Sequence, residues 1–190
     1  MFDVLFFVGF TTLFLPVNTL NMLKFDENGH LEPYEIIEIS LPEFETVFVS
    51  NMNIQEHRQG IFQTYLLFIN ELFGAVRGDF YQLVDGSFTT TKEKPRDIDV
   101  VTFIEIKLFK RCQRQIIWFL QNSKQAYGID SFFVPTCKPF NPFYPKFLET
   151  FDYWVNLFGH SREDEKGARH PKGIIKIQFS YEKFKDRSIS

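Results

Sequence analysis

The chain has 190 residues, 44% of them hydrophobic, and this length and composition suit one domain with a core of its own. Its net charge of −3 excludes a global basic field of the kind that drives tight, nonspecific nucleic-acid binding. The two cysteines, Cys112 and Cys137, belong to no CxxC or Cys/His cluster, which argues against a structural zinc site and against a disulfide framework. We therefore expect a protein of the reducing cytoplasm.

The first 21 residues form an almost wholly apolar segment whose apolar run ends at Pro16. The segment lacks a basic start, carries Asp3 and offers no clear small-residue cleavage site, so it is a poor signal peptide. The run is also too short to cross a bilayer comfortably. Three interpretations stay open: translation begins at Met22, the segment docks on the core or on a partner, or it anchors the chain at a membrane surface. Residues 22–190 then form the domain proper.

The first part of this domain predicts a short strand followed by a long helix. A turn at Asn28-Gly29 precedes LEPYEIIEI, which is typical of an edge strand. Apolar residues then recur at helical spacing over residues 54–73, and Gly74 is expected to end this helix.

Strands and helices alternate through the rest of the chain, and the C-terminal tail is polar. Further strands are predicted at 80–84, 98–106, 129–134 and 173–179. Further helices are predicted at 107–126, ended by Gly128, and at 146–158. The order predicts an α+β domain with a small mixed β-sheet flanked by helices.

One stretch, residues 85–103 (DGSFTTTKEKPRDIDVVTF), combines a Gly-Ser turn with two aspartates. Asp97 and Asp99 lie two apart at the start of a predicted strand, so their side chains project from the same face. Carboxylates placed in this way repel each other, and a divalent cation removes that penalty. Mg²⁺ prefers one or two carboxylates together with substrate phosphates and water. The Asp-Ile-Asp alternation therefore predicts a metal site at one end of the sheet.

Other residues of the chain are suited to hold phosphate groups beside such a metal. Gly86 permits a positive φ and a close backbone approach, and Ser87 offers a hydroxyl and an N–H group to a phosphate oxygen. The strands on either side are expected to be neighbours, so the turn faces the two aspartates. Lys92 in the connecting loop is a candidate phosphate contact, as are Arg162 and Lys172, which flank a later charged loop.

A Gly-Ser pair, followed about ten residues later by Asp-apolar-Asp and an apolar run, resembles the signature of the nucleotidyltransferase superfamily related to DNA polymerase β. The resemblance implies a third acidic residue on a later strand, and Asp130 at the start of the strand predicted at 129–134 matches that position. By this resemblance Asp97, Asp99 and Asp130 would be catalytic and would hold two Mg²⁺ ions. The motif region covers roughly residues 80–134.

The chain is also similar to small bacterial nucleotidyltransferase-like proteins, in its MLKFDENGHL segment and its PKGI ending, and to the nucleotidyltransferases of the Hailong phage-defence system. The resemblance implies transfer of a nucleoside monophosphate from a (deoxy)nucleoside triphosphate to a hydroxyl, with release of pyrophosphate. For the defence enzymes it implies template-independent synthesis of a single-stranded DNA oligonucleotide that controls a membrane effector partner protein.

Several alternatives remain open at this point. A toxin-like nucleotidyltransferase that modifies tRNA or a protein would share the chemistry and differ in the acceptor. A non-catalytic protein would keep the fold and bind a partner through exposed phenylalanines. The chain has 25 phenylalanines, a high number for its length, so we expect some of them to be exposed. In the plainest alternative the Gly-Ser pair is a hairpin turn and the aspartates are solvated charges at a strand end. A homo-oligomer is compatible with each of these.

Overall fold

The computed structural model describes residues 23–188, and the side chains of residues 23–185. The apolar segment 1–21 and the alternative start at Met22 lie outside the described residues. A five-stranded mixed sheet with helices packed on it forms the centre of the molecule, so the predicted α+β class is confirmed. None of the helices in residues 23–188 combines the length and the apolar character that crossing a membrane requires.

The chain forms seven strands, six α-helices and two short turns of other helix types within these residues. The strands are β1 Lys24–Phe25, β2 Leu31–Glu32, β3 Ile36–Glu38, β4 Phe80–Asp85, β5 Ile98–Glu105, β6 Ile129–Thr136 and β7 Ile174–Phe179. The helices are α1 Leu41–Glu45, α2 Gln55–Val76, α3 Ile106–Arg111, α4 Gln113–Tyr127, α5 Tyr144–Phe158 and α6 Tyr181–Ser188. A π-helical turn, Thr46–Ser50, follows α1, and a 3₁₀ turn, Ser87–Thr89, follows β4.

The central sheet has the strand order β3-β7-β4-β5-β6, while β1 and β2 form a separate antiparallel hairpin. Strand β4 runs antiparallel to β5, as expected for neighbours joined by the Gly-Ser loop. On its other side, β4 runs antiparallel to β7. Strand β6 runs parallel to β5, because α3 and α4 return the chain to the starting end of the sheet. One end of the sheet therefore brings together the end of β4 and the starts of β5 and β6.

Each face of the sheet carries its own apolar cluster. Helices α2 and α4 cover one face, where Phe68 packs edge-to-face on Phe119 at a centroid distance of 5.6 Å. Helix α5 covers the other face, where Phe151 contacts Phe103 of β5. Burying each such aromatic side chain contributes about 2 kcal/mol to folding. Because side chains alternate along a strand, Asp99 lies on the α5 face with Phe103.

The described elements differ from the predicted ones at helix boundaries and in the segment LEPYEIIEI, which forms two short strands, β2 and β3, in different sheets. Helix α2 continues past Gly74 to Val76, because Arg77 adopts the left-handed conformation (φ 50°) that ends it. The helix predicted at 107–126 is divided at Cys112 into α3 and α4, and the guanidinium of Arg111 then donates to the Val76 carbonyl at 2.8 Å. Gly128 ends α4 with a positive φ, as predicted.

Two helices were not predicted. Helix α1 begins with a capping box, in which the Ser40 hydroxyl accepts from the backbone of Glu43 and the Glu43 carboxylate accepts from the Ser40 N–H. Helix α6 lies in the tail predicted as merely polar. Its Phe184 stacks on Phe73 of α2 at a centroid distance of 4.4 Å, a long-range contact that periodicity in so short a segment does not reveal.

Candidate functional site

Four carboxylates lie together where β4 ends and β5 and β6 begin. The strand register pairs Asp85 with Asp99 and Asp99 with Asp130, so these three form one row across neighbouring strands on the α5 face. Asp97 lies two residues before Asp99, just ahead of β5, and shares the Lys124 ammonium group with Asp130. The structure thus brings together Asp97, Asp99 and Asp130, as the sequence predicts, and adds Asp85.

Two lysine ammonium groups contact this carboxylate cluster. Lys124 of α4 donates to Asp97 Oδ2 and, at 3.1 Å, to Asp130 Oδ2. Lys172 Nζ lies 2.7 Å from Asp85 Oδ2, and both partners of this ion pair are buried. Since four carboxylates meet two ammonium groups, the cluster carries two negative charges in excess when all of these groups are ionised.

Two carboxylates of the cluster, Asp99 and Asp85, have raised pKa values, and only that of Asp99 is raised by the neighbouring negative charges. Burial raises the pKa of Asp99 to about 6, and the charges of Asp97, Asp85 and Asp130 act in the same direction. Burial also raises the pKa of Asp85 to about 6, although the ion pair with Lys172 opposes this effect. A site that penalises the ionised form of its own carboxylates is one in which an added cation is stabilising.

The donor set fits a hard divalent cation such as Mg²⁺, which takes carboxylate oxygens as ligands. Within the described residues, no group of three or more His, Cys, Asp or Glu side chains is already arranged to hold a metal ion. The Lys124 ammonium lies between Asp97 and Asp130 and contacts an oxygen of each. These two are among the carboxylates that the resemblance assigns to the metal.

Gly86 brings the backbone directly against one of these carboxylates. It has φ 90° and ψ −163°, a conformation that is essentially restricted to glycine. A Cβ atom on this residue would overlap Asp99 Oδ2 and lie 3.0 Å from Asp99 Cγ. Ser87 follows as the first residue of the 3₁₀ turn. The Gly-Ser pair therefore lies beside Asp99, as the sequence predicts.

Replacing Gly86 with Ala is expected to displace the Asp99 carboxylate and to lower divalent-metal affinity at least about tenfold, because the side chain and the strained backbone both need space at Asp99. Isothermal titration with Mg²⁺ or Mn²⁺ measures this affinity. Gly128→Ala is the matched control, since Gly128 also has a positive φ (69°) but no atom within 4 Å of its would-be Cβ. Equal metal affinity in the two variants would contradict the prediction.

A buried arginine fixes the loop that carries the Gly-Ser pair. The Arg58 guanidinium of α2 donates to four backbone carbonyls at 2.6–2.9 Å, those of Phe48, Phe88, Thr90 and Lys92. His57, its neighbour, donates from Nε2 to the Pro95 carbonyl at 2.6 Å. Helix α2 thus holds both halves of the connection between Ser87 and Asp97.

The predicted phosphate contacts are distributed differently from the carboxylates. The Lys92 side chain is exposed, in the loop that Arg58 holds. Arg162 is exposed on the loop between α5 and β7, and no contact joins it to the carboxylate cluster within residues 23–185. The prediction that Lys172 contacts a phosphate needs correction. Its ammonium group is buried against Asp85 and is not free to hold a phosphate.

A cavity of about 320 Å³ borders this buried ion pair. Lys172 forms part of its wall, between the C-terminal half of α5 and the segment before β3. Polar side chains in the wall include Tyr34, Asp152, Asn156 and His160. Lys172 is therefore the residue that the cavity shares with the ion pair, and the cavity wall offers both donors and acceptors.

Replacing Asp99 with Asn is expected to stabilise the metal-free protein at pH 7.5 by on the order of 2 kcal/mol. The pKa of Asp99 in the folded protein, about 6, exceeds the ordinary value of 3.8 for an aspartate. The stability contributed by the protonated form is therefore complete below pH 4 and is lost as the pH rises through 6. Asparagine mimics the protonated form at every pH. Urea unfolding at pH 4.5 and 7.5 should show a larger stabilisation at pH 7.5, and an equal effect at both would contradict the assignment.

Two residues of the site were missed by the sequence analysis. Asp85 directly precedes the Gly-Ser pair, and the expected pairing of the strands on either side of the loop places it opposite Asp99. Lys124 lies six residues before Asp130 on a different element, and its sequence carries no sign of the contact.

Comparison with known proteins gives a family for the chain. Residues 23–178 match a family of unknown function (DUF6932). The matched region covers most of the 190 residues. No curated protein and no solved structure matches the chain.

Proposed function

We propose that this chain, which belongs to the family of unknown function DUF6932, is a metal-dependent nucleotidyltransferase. It would transfer a nucleoside monophosphate from a (deoxy)nucleoside triphosphate to a hydroxyl and release pyrophosphate. The observation that carries the proposal is the register that sets Asp99 beside Asp130 across parallel strands, with Asp97 joined to Asp130 through one ammonium group and Gly86 against Asp99. The alternative of unconnected, solvated charges at a strand end does not account for this convergence.

In this function Asp97, Asp99 and Asp130 would hold Mg²⁺, which neutralises the triphosphate and lowers the pKa of a bound hydroxyl. The backbone at Gly86 and Ser87 would hold the phosphates against the site. The Asp130 side chain is 44% exposed and that of Asp97 24% exposed, so Asp130 is the more open to an acceptor arriving from solvent. Its carboxylate would orient the acceptor hydroxyl and take its proton. The catalytic effect is then mainly one of positioning and charge neutralisation.

The proposal is tested by incubating the full chain with each α-labelled ribonucleoside and deoxyribonucleoside triphosphate, with Mg²⁺ and with excess chelator. Pyrophosphate release and a denaturing gel are the readouts. We expect pyrophosphate release in the presence of Mg²⁺ and none with excess chelator, and we expect the label to appear on a larger product. Absence of release with every nucleotide, in the presence of oligonucleotide, tRNA and protein acceptors, would overturn the proposal.

The same gel identifies the acceptor. A ladder from deoxynucleotides indicates a single-stranded DNA oligomer, as in the anti-phage enzymes that the chain resembles, whereas label on tRNA or on a protein indicates a toxin-like transferase. If no transfer occurs, a non-catalytic partner-binding protein of the same fold becomes the better explanation.

A further inference from the structure

Lys124 makes a contact with the carboxylate cluster that the proposed function does not explain. It belongs to α4, which packs on the face of the sheet opposite α5, and its side chain reaches the starting end of β6. There its ammonium contacts one oxygen of Asp97 and, at 3.1 Å, one oxygen of Asp130. A single positive group is thus shared between two carboxylates on different strands.

We propose that Lys124 occupies the position of a divalent cation between Asp97 and Asp130 in the metal-free protein and is displaced when the cation binds. The proposal rests on the proposed function in one respect, the assignment of Asp97 and Asp130 as metal ligands. It adds that the chain carries its own competitor for the metal. Lys124 is then a positioning residue, because it keeps the two carboxylates facing one point until the metal arrives.

Lys124 and Lys172 differ in how readily their ammonium groups can separate from the carboxylates that they contact. The side chain of Lys172 is 8% exposed and that of its partner Asp85 is 6% exposed, so separating them would leave buried charges unpaired. The Lys124 side chain is 53% exposed, and its ammonium can return to water on a flexible four-carbon stem. Ion pairs exposed to this degree contribute little to stability, so their loss is readily offset by a metal ion.

A divalent metal ion and the Lys124 ammonium group cannot contact the same carboxylate oxygens at the same time. A divalent ion would lie about 2 Å from Asp97 and Asp130 oxygens, and the ammonium at hydrogen-bond distance from those oxygens would then be repelled at close range. The doubly charged ion gains more from the two carboxylates and from Asp99 than a singly charged ammonium does. Binding of metal and release of Lys124 are therefore one exchange, and the affinity for metal is reduced by the contact that must be broken.

The first test measures binding of Mn²⁺ alone to the full-length protein by isothermal titration and by its electron paramagnetic resonance signal. Lys124→Met is expected to bind Mn²⁺ about three- to tenfold more tightly than the wild type, because two exposed ion pairs no longer compete. Lys107→Met is the control, since Lys107 is exposed on α3 at the far end of β5, and its affinity should equal that of the wild type. Equal or weaker binding by Lys124→Met would overturn the proposal.

The second test follows Lys124 itself in the wild-type protein, so it does not depend on a variant. Amine acetylation, read out by mass spectrometry, should become several-fold faster at Lys124 when Mg²⁺ is added. Lys172 should stay protected and Lys107 equally reactive in both conditions. A Lys124 rate that does not change with Mg²⁺, at concentrations where titration shows binding, would overturn the proposal.

The outcomes separate this proposal from the proposed function. If the wild type binds metal and transfers nucleotides while Lys124→Met binds metal with unchanged affinity, the exchange is wrong and the nucleotidyltransferase stands. If the wild type binds no metal and transfers no nucleotide, both are wrong. If Lys124→Met binds metal more tightly and Lys124 is released, yet no nucleotide is transferred, the exchange stands and the enzymatic function does not.

Discussion

Replacing Asp97 with Asn is expected to lower nucleotidyl transfer at least about 10³-fold while the protein stays folded. The variant removes the charge of one proposed metal ligand, and metal-ion stabilisation of a transferring phosphoryl group is worth several kcal/mol. The fold should tolerate the change, because Asp97 contacts the exposed ammonium of Lys124 and such a pair contributes about 1 kcal/mol or less. Asparagine keeps the size and shape of the side chain, so the effect isolates the charge.

Pyrophosphate release at saturating nucleotide measures the effect, with thermal unfolding as the check on folding. Glu149→Gln is the charge-matched control, because Glu149 is exposed on α5 and pairs with Lys146 of the same helix. We expect the control to retain wild-type activity. Wild-type turnover in Asp97→Asn would remove the carboxylate cluster from the mechanism, and a matching loss in Glu149→Gln would show that the assay responds to net charge alone.

Replacing Arg58 with Met is expected to lower the free energy of unfolding by about 3–5 kcal/mol, the largest change in stability that we expect from a single substitution here. Arg58 is 1% exposed, and methionine would leave four backbone carbonyls without the donor that now satisfies them. Burial lowers the pKa of Arg58 to about 10, so the guanidinium remains charged at neutral pH. The stacking of the guanidinium on Phe88, at 5.0 Å, is lost as well.

Urea unfolding at pH 7.5 measures the loss, and Arg114→Met, on the exposed side of α4, is the control expected to change stability by less than about 0.5 kcal/mol. Because Arg58 holds the loop between Gly86 and Asp97, we also expect weaker metal binding by Arg58→Met at temperatures where it is folded. A stability within 1 kcal/mol of the wild type would show that water replaces the guanidinium at the four carbonyls.

Local patterns predicted much of this molecule. Alternation and β-branched residues located β5 and β7, and helical periodicity located α2 and α5 to within three residues at each end. The strand predicted at 98–106 put Asp97 and Asp99 at the start of β5, and the positive φ of Gly86 was expected from its residue type. These features depend on neighbours in sequence, which is why the sequence could predict them. The end of α2 at Gly74 was predicted wrongly, and the break at Cys112 was not predicted. Arg111, beside that break, donates to the Val76 carbonyl at the end of α2, a tertiary contact that local patterns do not reveal.

The sequence by itself determined the type of the main elements, the position of Asp99 and Asp130 at the starts of two strands and the close approach of backbone at Gly86. The tertiary structure decided which charges meet: Asp85 joins the cluster through the β4–β5 register, Lys172 is buried against it, and Lys124 reaches it from another helix. Arg58 satisfies carbonyls up to 34 residues away in the chain. Such contacts depend on the order and register of strands and on the reach of long side chains, and these are fixed by packing of the whole core.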